Sequence, residues 1–243
     1  MVKRECQYLF ATIVALFGVL TMKNIKIKAA LWIIFGVSIL LFFAIYRIQG
    51  SPDFGFKTIF QILSAVVSIN CALYGLFVSF LWKLPIFKGW LVPFPNLNGT
   101  WKGKIRTTWT DPETGERPGP IPAILTIKQS FLHISCVMRT AEMTSRSLTS
   151  GFVLDKENQL ERLVYTYDSN PIETVRERSP QHCGTMDFEM VKENKEIKLT
   201  GGYWTGRKTT GIIEMHFWKK ERINSYPKEM DPHPVSEVRE NKS

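Results

Sequence analysis

The hydrophobic positions change their rhythm once along the chain, near residue 98. Before that point they run without interruption: Gln7–Met22, Ala29–Tyr46 and Thr58–Trp82 contain no charged residue. A bilayer core of about 30 Å needs roughly 20 helical residues to cross it. The second and third stretches therefore predict membrane-spanning helices, and the shorter first one a third span. Beyond residue 98, apolar and polar residues alternate in short runs: Gly99–Trp109, Ala123–Ser130, Phe131–Thr140, Ser145–Leu154, Gln159–Asp168, His182–Val191, Glu196–Thr205 and Thr210–Lys219. Period-two alternation broken by turn residues is the pattern of strands with one buried face. Eight such runs joined by turns such as Lys156-Glu157-Asn158 predict an all-β domain, an eight-stranded up-and-down antiparallel β-barrel. The expected organisation is transmembrane α-helices within residues 1–83 (three, or two if Gln7–Met22 does not cross), a linker over 84–98, the barrel over 99–222, and a polar, proline-containing, disordered tail over 223–243.

Charge follows the same division. Residues 1–98 hold nine Lys/Arg against two Asp/Glu, and residues 99–243 hold 22 against 20, so most of the net +9 belongs to the membrane flanks. The nearly neutral second part has no basic stripe for a run of phosphates, which argues against DNA or RNA polymers as partners. Loops rich in Lys and Arg stay in the cytoplasm. Lys23, Lys26 and Lys28 place the first turn inside, Asp53 offsets Arg47 and Lys57 in the second, and Lys83 and Lys88 follow the last span. Three spans leave the C-terminal domain cytoplasmic. Cys6, Cys71, Cys136 and Cys183 show no CxxC spacing, so reduced thiols are expected, with neither disulfide nor metal.

In the third hydrophobic stretch Gln61, Ser64, Ser68, Cys71 and Gly75 recur at three- or four-residue intervals and share one helical face. Such a face serves contact between copies or a polar path, or else packs internally against the neighbouring span.

Parity sorts the strands. Trp101, Gly103, Ile105, Thr107 and Trp109 point inward opposite Lys102, Lys104 and Arg106, with Trp101 suited to plug a barrel end; Tyr165 and Tyr167 share the inward face of the fifth strand. Tyr203 and Thr205 do so in the seventh, and Arg207 continues that face if the chain stays extended past Gly206. With Thr140, Ser145, Ser147 and His182 near the mouth, these groups stack on rings and donate hydrogen bonds to oxygens, a set suited to a compact, planar anion. No phosphate loop, Ser-centred elbow, HExxH pair or glycosidase-like carboxylate pair is visible, so no catalysis and no cofactor are expected.

Several runs carry a resemblance: Pro95-Asn96-Leu97-Asn98-Gly99-Thr100-Trp101-Lys102-Gly103 after hydrophobic helices, a Thr/Ser-rich stretch from Thr140 to Ser147, Tyr165-Thr166-Tyr167 with Asn170-Pro171, His182 with Gly184-Thr185, and Gly202 through Gly211. In order and spacing, over about residues 58–218, this resembles the two-transmembrane, β-strand-rich effectors of bacterial CBASS anti-phage operons. The resemblance implies a cytoplasmic barrel that senses a cyclic oligonucleotide from a partner nucleotidyltransferase. Binding would drive self-association in the inner membrane and membrane disruption, killing the infected cell. It places the nucleotide on Tyr165, Tyr167, Thr205 and Arg207, with Thr140, Ser147, His182 and Tyr203 as further contacts. Two other readings stay open from the residues alone: a membrane-tethered lipocalin-like carrier of an apolar ligand, and a scaffold whose barrel is filled by its own side chains.

Overall fold

In a computed structural model of the chain, the structure describes residues 27–50, 53, 55–155, 157–193 and 196–236. The chain divides into two units between Pro95 and Asn96. The expected span Gln7–Met22 lies outside the described residues.

Helices α1 (Ile27–Ile48) and α2 (Phe56–Ser79) are each long and apolar enough to cross a bilayer. The third expected stretch runs to Trp82, but the α-helix stops at Ser79 and Leu81–Lys83 form a separate 3-10 turn, with another at Pro85–Phe87. Proline lacks an amide hydrogen and disfavours helical backbone in the residue before it, so Pro85 ends any continuation. The two helices pack together. Ile62 and Val66 are buried, and Asn70 Nδ2 donates to Ser38 Oγ on α1 at 3.0 Å, so positions 62, 66 and 70 form the seam. Gln61, Ser64, Ser68, Cys71 and Gly75 are all exposed and take no part in it.

The second unit is a closed antiparallel barrel in sequential order, β1 (Gly99–Thr107), β2 (Ile121–Gln129), β3 (Ile134–Arg139), β4 (Met143–Asp155), β5 (Leu160–Pro171), β6 (His182–Glu193), β7 (Glu196–Thr205) and β8 (Thr210–Lys219). β8 pairs with β1 to close it, from Thr100↔Lys219 to Thr107↔Gly211. Alternate residues point inward: Leu125 and Ile127 from β2, Leu163 and Tyr165 from β5, Met186 and Phe188 from β6, Leu199 from β7 and Met215 from β8 make one apolar core. At the end where β1 begins, Leu97 and Trp101 fill the interior; the Trp101 indole donates to the Leu97 carbonyl at 3.0 Å and packs edge-on against Phe217.

One irregularity redirects side chains. Between Ser147 and Thr149 the β4–β5 register slips, and Leu148 is left 64% exposed. Backbone pairing of β3 to β4 covers only Val137 to Arg139, and serine hydroxyls replace it further along. The Cys136 amide donates to Ser147 Oγ at 3.0 Å, and Ser150 Oγ donates to the Ile134 carbonyl at 2.5 Å. A bulge leaves strand backbone groups unpaired, and these two serines satisfy one amide and one carbonyl.

The segment after β8 differs from the expected disorder. Residues 223–236 are placed against the barrel, and Met230, His233 and Val235 are buried. Three prolines, Pro227, Pro232 and Pro234, lower the entropy that ordering costs, which composition alone does not weigh.

Candidate functional site

The barrel end opposite Trp101 is not filled. There β1, β3, β5 and β7 finish and β2, β4, β6 and β8 begin, and a cavity is lined by side chains from all eight strands and their loops. Its deeper wall is apolar, with Ile105, Met138, Met186 and Ile213. Nearer the mouth the wall carries hydroxyls: Thr107, Thr140, Ser145, Ser169, Thr205 and Thr209.

Seven of the eight expected ligand residues meet in this cavity: Tyr165, Tyr167, Tyr203, Thr205, Arg207, Thr140 and His182. Ser147 does not line it, because its hydroxyl is committed to the β3 backbone at the bulge. Ser145, two residues earlier, does line it and pairs with Ser169 across β4 and β5, Oγ to Oγ 2.6 Å.

Arg207 arrives by another route than an extended chain. The backbone turns at Gly206: its amide donates to the Cys183 carbonyl at 2.9 Å, the Lys208 amide closes onto the Thr205 carbonyl at 3.0 Å, and Lys208 takes a positive φ of 62°. The Thr205 and Thr209 hydroxyls lie 2.7 Å apart and brace the turn. The guanidinium folds over the mouth, with Nη1 donating to Ser179 Oγ at 3.1 Å and Nε buried without a hydrogen-bond partner. A guanidinium stays charged in a protein. It thus offers a desolvated cation with a free donor to whatever enters.

Two glycines position the aromatic walls. Gly184 lies opposite Tyr167 and Gly211 opposite Tyr203, and each ring occupies the space that a Cβ would take on the neighbouring strand. Tyr165 and Tyr167 stand edge to face with centroids 6.1 Å apart. Burial pushes the phenols of Tyr165, Tyr167 and Tyr203 upward, so all three are neutral donors near pH 7. For Tyr167 and Tyr203, Arg207 opposes that shift, which places its charge among the rings.

His182 and His233 both titrate below the ordinary imidazole value. For His182 burial is the main cause and Arg207 adds to it, against the Pro180 carbonyl and Asp168. For His233 burial leads again, with Glu142 opposing and Arg178 adding. The unfolded chain thus binds more protons than the folded one. Stability from both groups is complete above the unfolded value of about 6.5 and is lost as pH falls through the lower folded values. The thermal midpoint is expected to decline from pH 7 to 5, with a shallower decline in the His182→Asn/His233→Asn double variant, read by differential scanning fluorimetry. A double variant with the wild-type slope would refute the assignment.

Strand parity did not reveal the loop contributions. Glu142 comes from the β3–β4 turn, Arg178 and Ser179 from the β5–β6 loop, and His233 from the C-terminal segment. Glu142 is 5% exposed and pairs with Arg178 at 2.5 Å. No periodic signal marks such residues; an acidic and a basic residue in separate turns read as solvated.

Fold and site together define a receptor-type barrel, closed at one end and offering rings, hydroxyls and one under-paired guanidinium at the other. The family described as "Cap15, cyclic dinucleotide receptor domain" matches residues 92–217. CD-NTase-associated protein 15 of Staphylococcus schleiferi is 30% identical over 155 residues, which are 64% of this chain and 78% of that protein. The chain belongs to the Cap15 family.

Proposed function

We propose that this protein is an effector of a bacterial CBASS anti-phage system whose barrel binds a cyclic dinucleotide and whose helices then assemble and breach the membrane. The observation that carries the reading is Arg207, a half-buried guanidinium with a free Nε beside three tyrosines in a Cap15-family barrel. Phosphodiester oxygens satisfy a guanidinium fork, and bases stack on aromatic faces. Tyr165, Tyr167 and Tyr203 supply the faces, Thr140, Thr205 and His182 hydrogen bonds at the mouth. An apolar-ligand carrier would have no use for a desolvated arginine there, and a barrel filled by its own side chains would leave no cavity.

The ligand is made in the cytoplasm, so the barrel faces that side of the inner membrane, in agreement with Lys83 and Lys88 after α2. Assembly uses the exposed row on α2. Ser64 and Ser68 return their hydroxyls to carbonyls of their own helix at 2.9 Å, whereas the Gln61 carboxamide has no hydrogen-bond partner among the described residues. In hydrocarbon a lone carboxamide is costly, and pairing across copies satisfies it at roughly 1 kcal/mol per contact.

The test is a titration of full-length protein in detergent with cyclic dinucleotides, followed by particle size and by dye release from vesicles. Binding, a larger particle and leakage are expected together; binding by none of the ligands, or binding without a size change, sinks the proposal. Gln61→Leu is expected to keep wild-type affinity while reducing particle growth and leakage several-fold. Unaltered leakage would remove Gln61 from the assembly face.

A further inference from the structure

A length of chain crosses the outside of the barrel from one end to the other and finishes in the cavity wall. It starts after β8, at the end plugged by Trp101. Thr100 Oγ1 donates to the Glu221 carbonyl at 2.6 Å and accepts the Ile223 amide at 3.1 Å. The Ile223 carbonyl receives Thr126 Oγ1 at 2.8 Å and Arg139 Nη1 at 3.4 Å. Thr100, Thr126 and Arg139 stand on β1, β2 and β3, so the segment runs across the outward faces of three strands. Thr100, Ile124 and Thr126 share the outward parity, opposite that of Trp101 and Leu125, yet all three are buried. A strand buried on both faces has a covering layer on its outer side.

The far end of this segment closes on an ion pair. Glu142 Oε1 accepts hydrogen bonds from Arg178 Nη2 and Ser236 Oγ, and His233 Nδ1 lies 3.2 Å from it. Arg178 Nη2 also donates to Ser236 Oγ at 3.3 Å. Glu142, Arg178 and His233 all line the cavity, so the latch of the segment and the wall of the binding site share residues.

That sharing couples the two. A buried carboxylate depends on its cation, and removing the partner leaves an uncompensated charge. This step rests on the cavity accepting a cyclic dinucleotide, whose two phosphodiesters carry negative charge. A phosphate drawn to Arg178 takes the cation from Glu142 and sets a second anion beside it. Glu142 must then turn toward water, which ends its role as acceptor for Ser236, or take up a proton, which leaves only the weaker acceptor of a neutral acid. We propose that residues 221–236 form a releasable strap, latched by Ser236 on the Glu142–Arg178 pair and unlatched when ligand phosphate captures Arg178. Release uncovers Thr100, Ile124, Thr126 and Arg139. Occupied and empty barrels then present different outer surfaces, and only such a difference lets a ligand shift an assembly equilibrium.

Hydrogen exchange read by mass spectrometry on full-length protein in micelles tests both halves. Without ligand, Ser236→Ala is expected to raise exchange of the 223–236 amides about tenfold, the scale of losing a hydrogen bond to a charged group; unchanged exchange overturns the latch. With cyclic di-AMP or cyclic di-GMP at saturation, judged by separate calorimetry, wild-type exchange over 223–236 is expected to rise at least tenfold. Binding with unchanged or slower exchange overturns the strap and leaves the receptor reading standing. Binding of neither these nor other cyclic dinucleotides by calorimetry overturns the receptor reading, and the ligand-driven release with it.

Discussion

Arg207→Ala is expected to abolish measurable cyclic-dinucleotide binding and leave the barrel folded. Truncating one member of a desolvated charge pair costs about 2–5 kcal/mol, a loss of roughly 30-fold to several thousand-fold in affinity. The fold should tolerate the change because the turn that presents Arg207 is held by other groups. Backbone bonds from Gly206 and Lys208 and the Thr205–Thr209 hydroxyl pair brace it, while the guanidinium makes one side-chain bond, to Ser179. Removing a buried Nε that has no partner even relieves a desolvation cost. Arg207→Lys should recover little, since an ammonium is a point charge without the planar fork. Calorimetry with thermal unfolding as the control decides it. Binding by Arg207→Ala within threefold of wild type would move the anion site elsewhere.

The second large effect is expected at Gly184. A Cβ there would stand 2.5 Å from Tyr167 Cζ and 2.7 Å from the Trp204 carbonyl, so a side chain can enter only if the tyrosine ring leaves its place. Gly184→Val should therefore cost about 1–3 kcal/mol of stability through overpacking and lose the stacking face as well. Gly211 holds the same relation to Tyr203 and should behave alike. Gly151, on β4, is the internal control: nothing lies within 4 Å of its added Cβ. Gly151→Val should change stability by less than about 1 kcal/mol, in either direction, on strand propensity. Unfolding curves and ligand titrations on these variants separate the cases. Wild-type affinity in Gly184→Val would show that Tyr167 is core rather than binding surface.

The barrel was legible because each strand pairs with its sequence neighbour and has one inward face. Parity alone set Trp101 at one end of β1, and Tyr165 and Tyr167 on a common row of β5. It failed where the backbone departs from the period. Parity puts Ser147 at the mouth, but the slip beside Leu148 hands its hydroxyl to Cys136. Arg207 reaches the site by a tight turn, although extension past Gly206 was the expected route. Glu142, Arg178, Ser179 and His233 were out of reach altogether, since periodicity carries no information about side chains delivered by loops. The C-terminal segment did leave a trace in the sequence. Ala123-Ile124-Leu125-Thr126-Ile127 is apolar at both parities except Thr126, and a half-exposed strand has no reason to place Ile124 outward. The mark of a covering segment lay in the strand it covers.

Closure of β8 onto β1 has a consequence for the order in which the molecule is made. Seven of the strand pairings are hairpin-like and local, but the eighth joins residues 100–107 to residues 211–219. Such a distant contact forms late, after the loop-closure entropy of the intervening chain has been overcome. During synthesis α1 and α2 emerge and can enter the bilayer while the barrel is still an open sheet, with β1 exposing an unpaired edge. The cavity does not exist until β8 docks, since Thr209 and Ile213 form part of its wall. A nascent chain can therefore hold its membrane helices in place and yet be deaf to the ligand, becoming responsive only in the last step of folding.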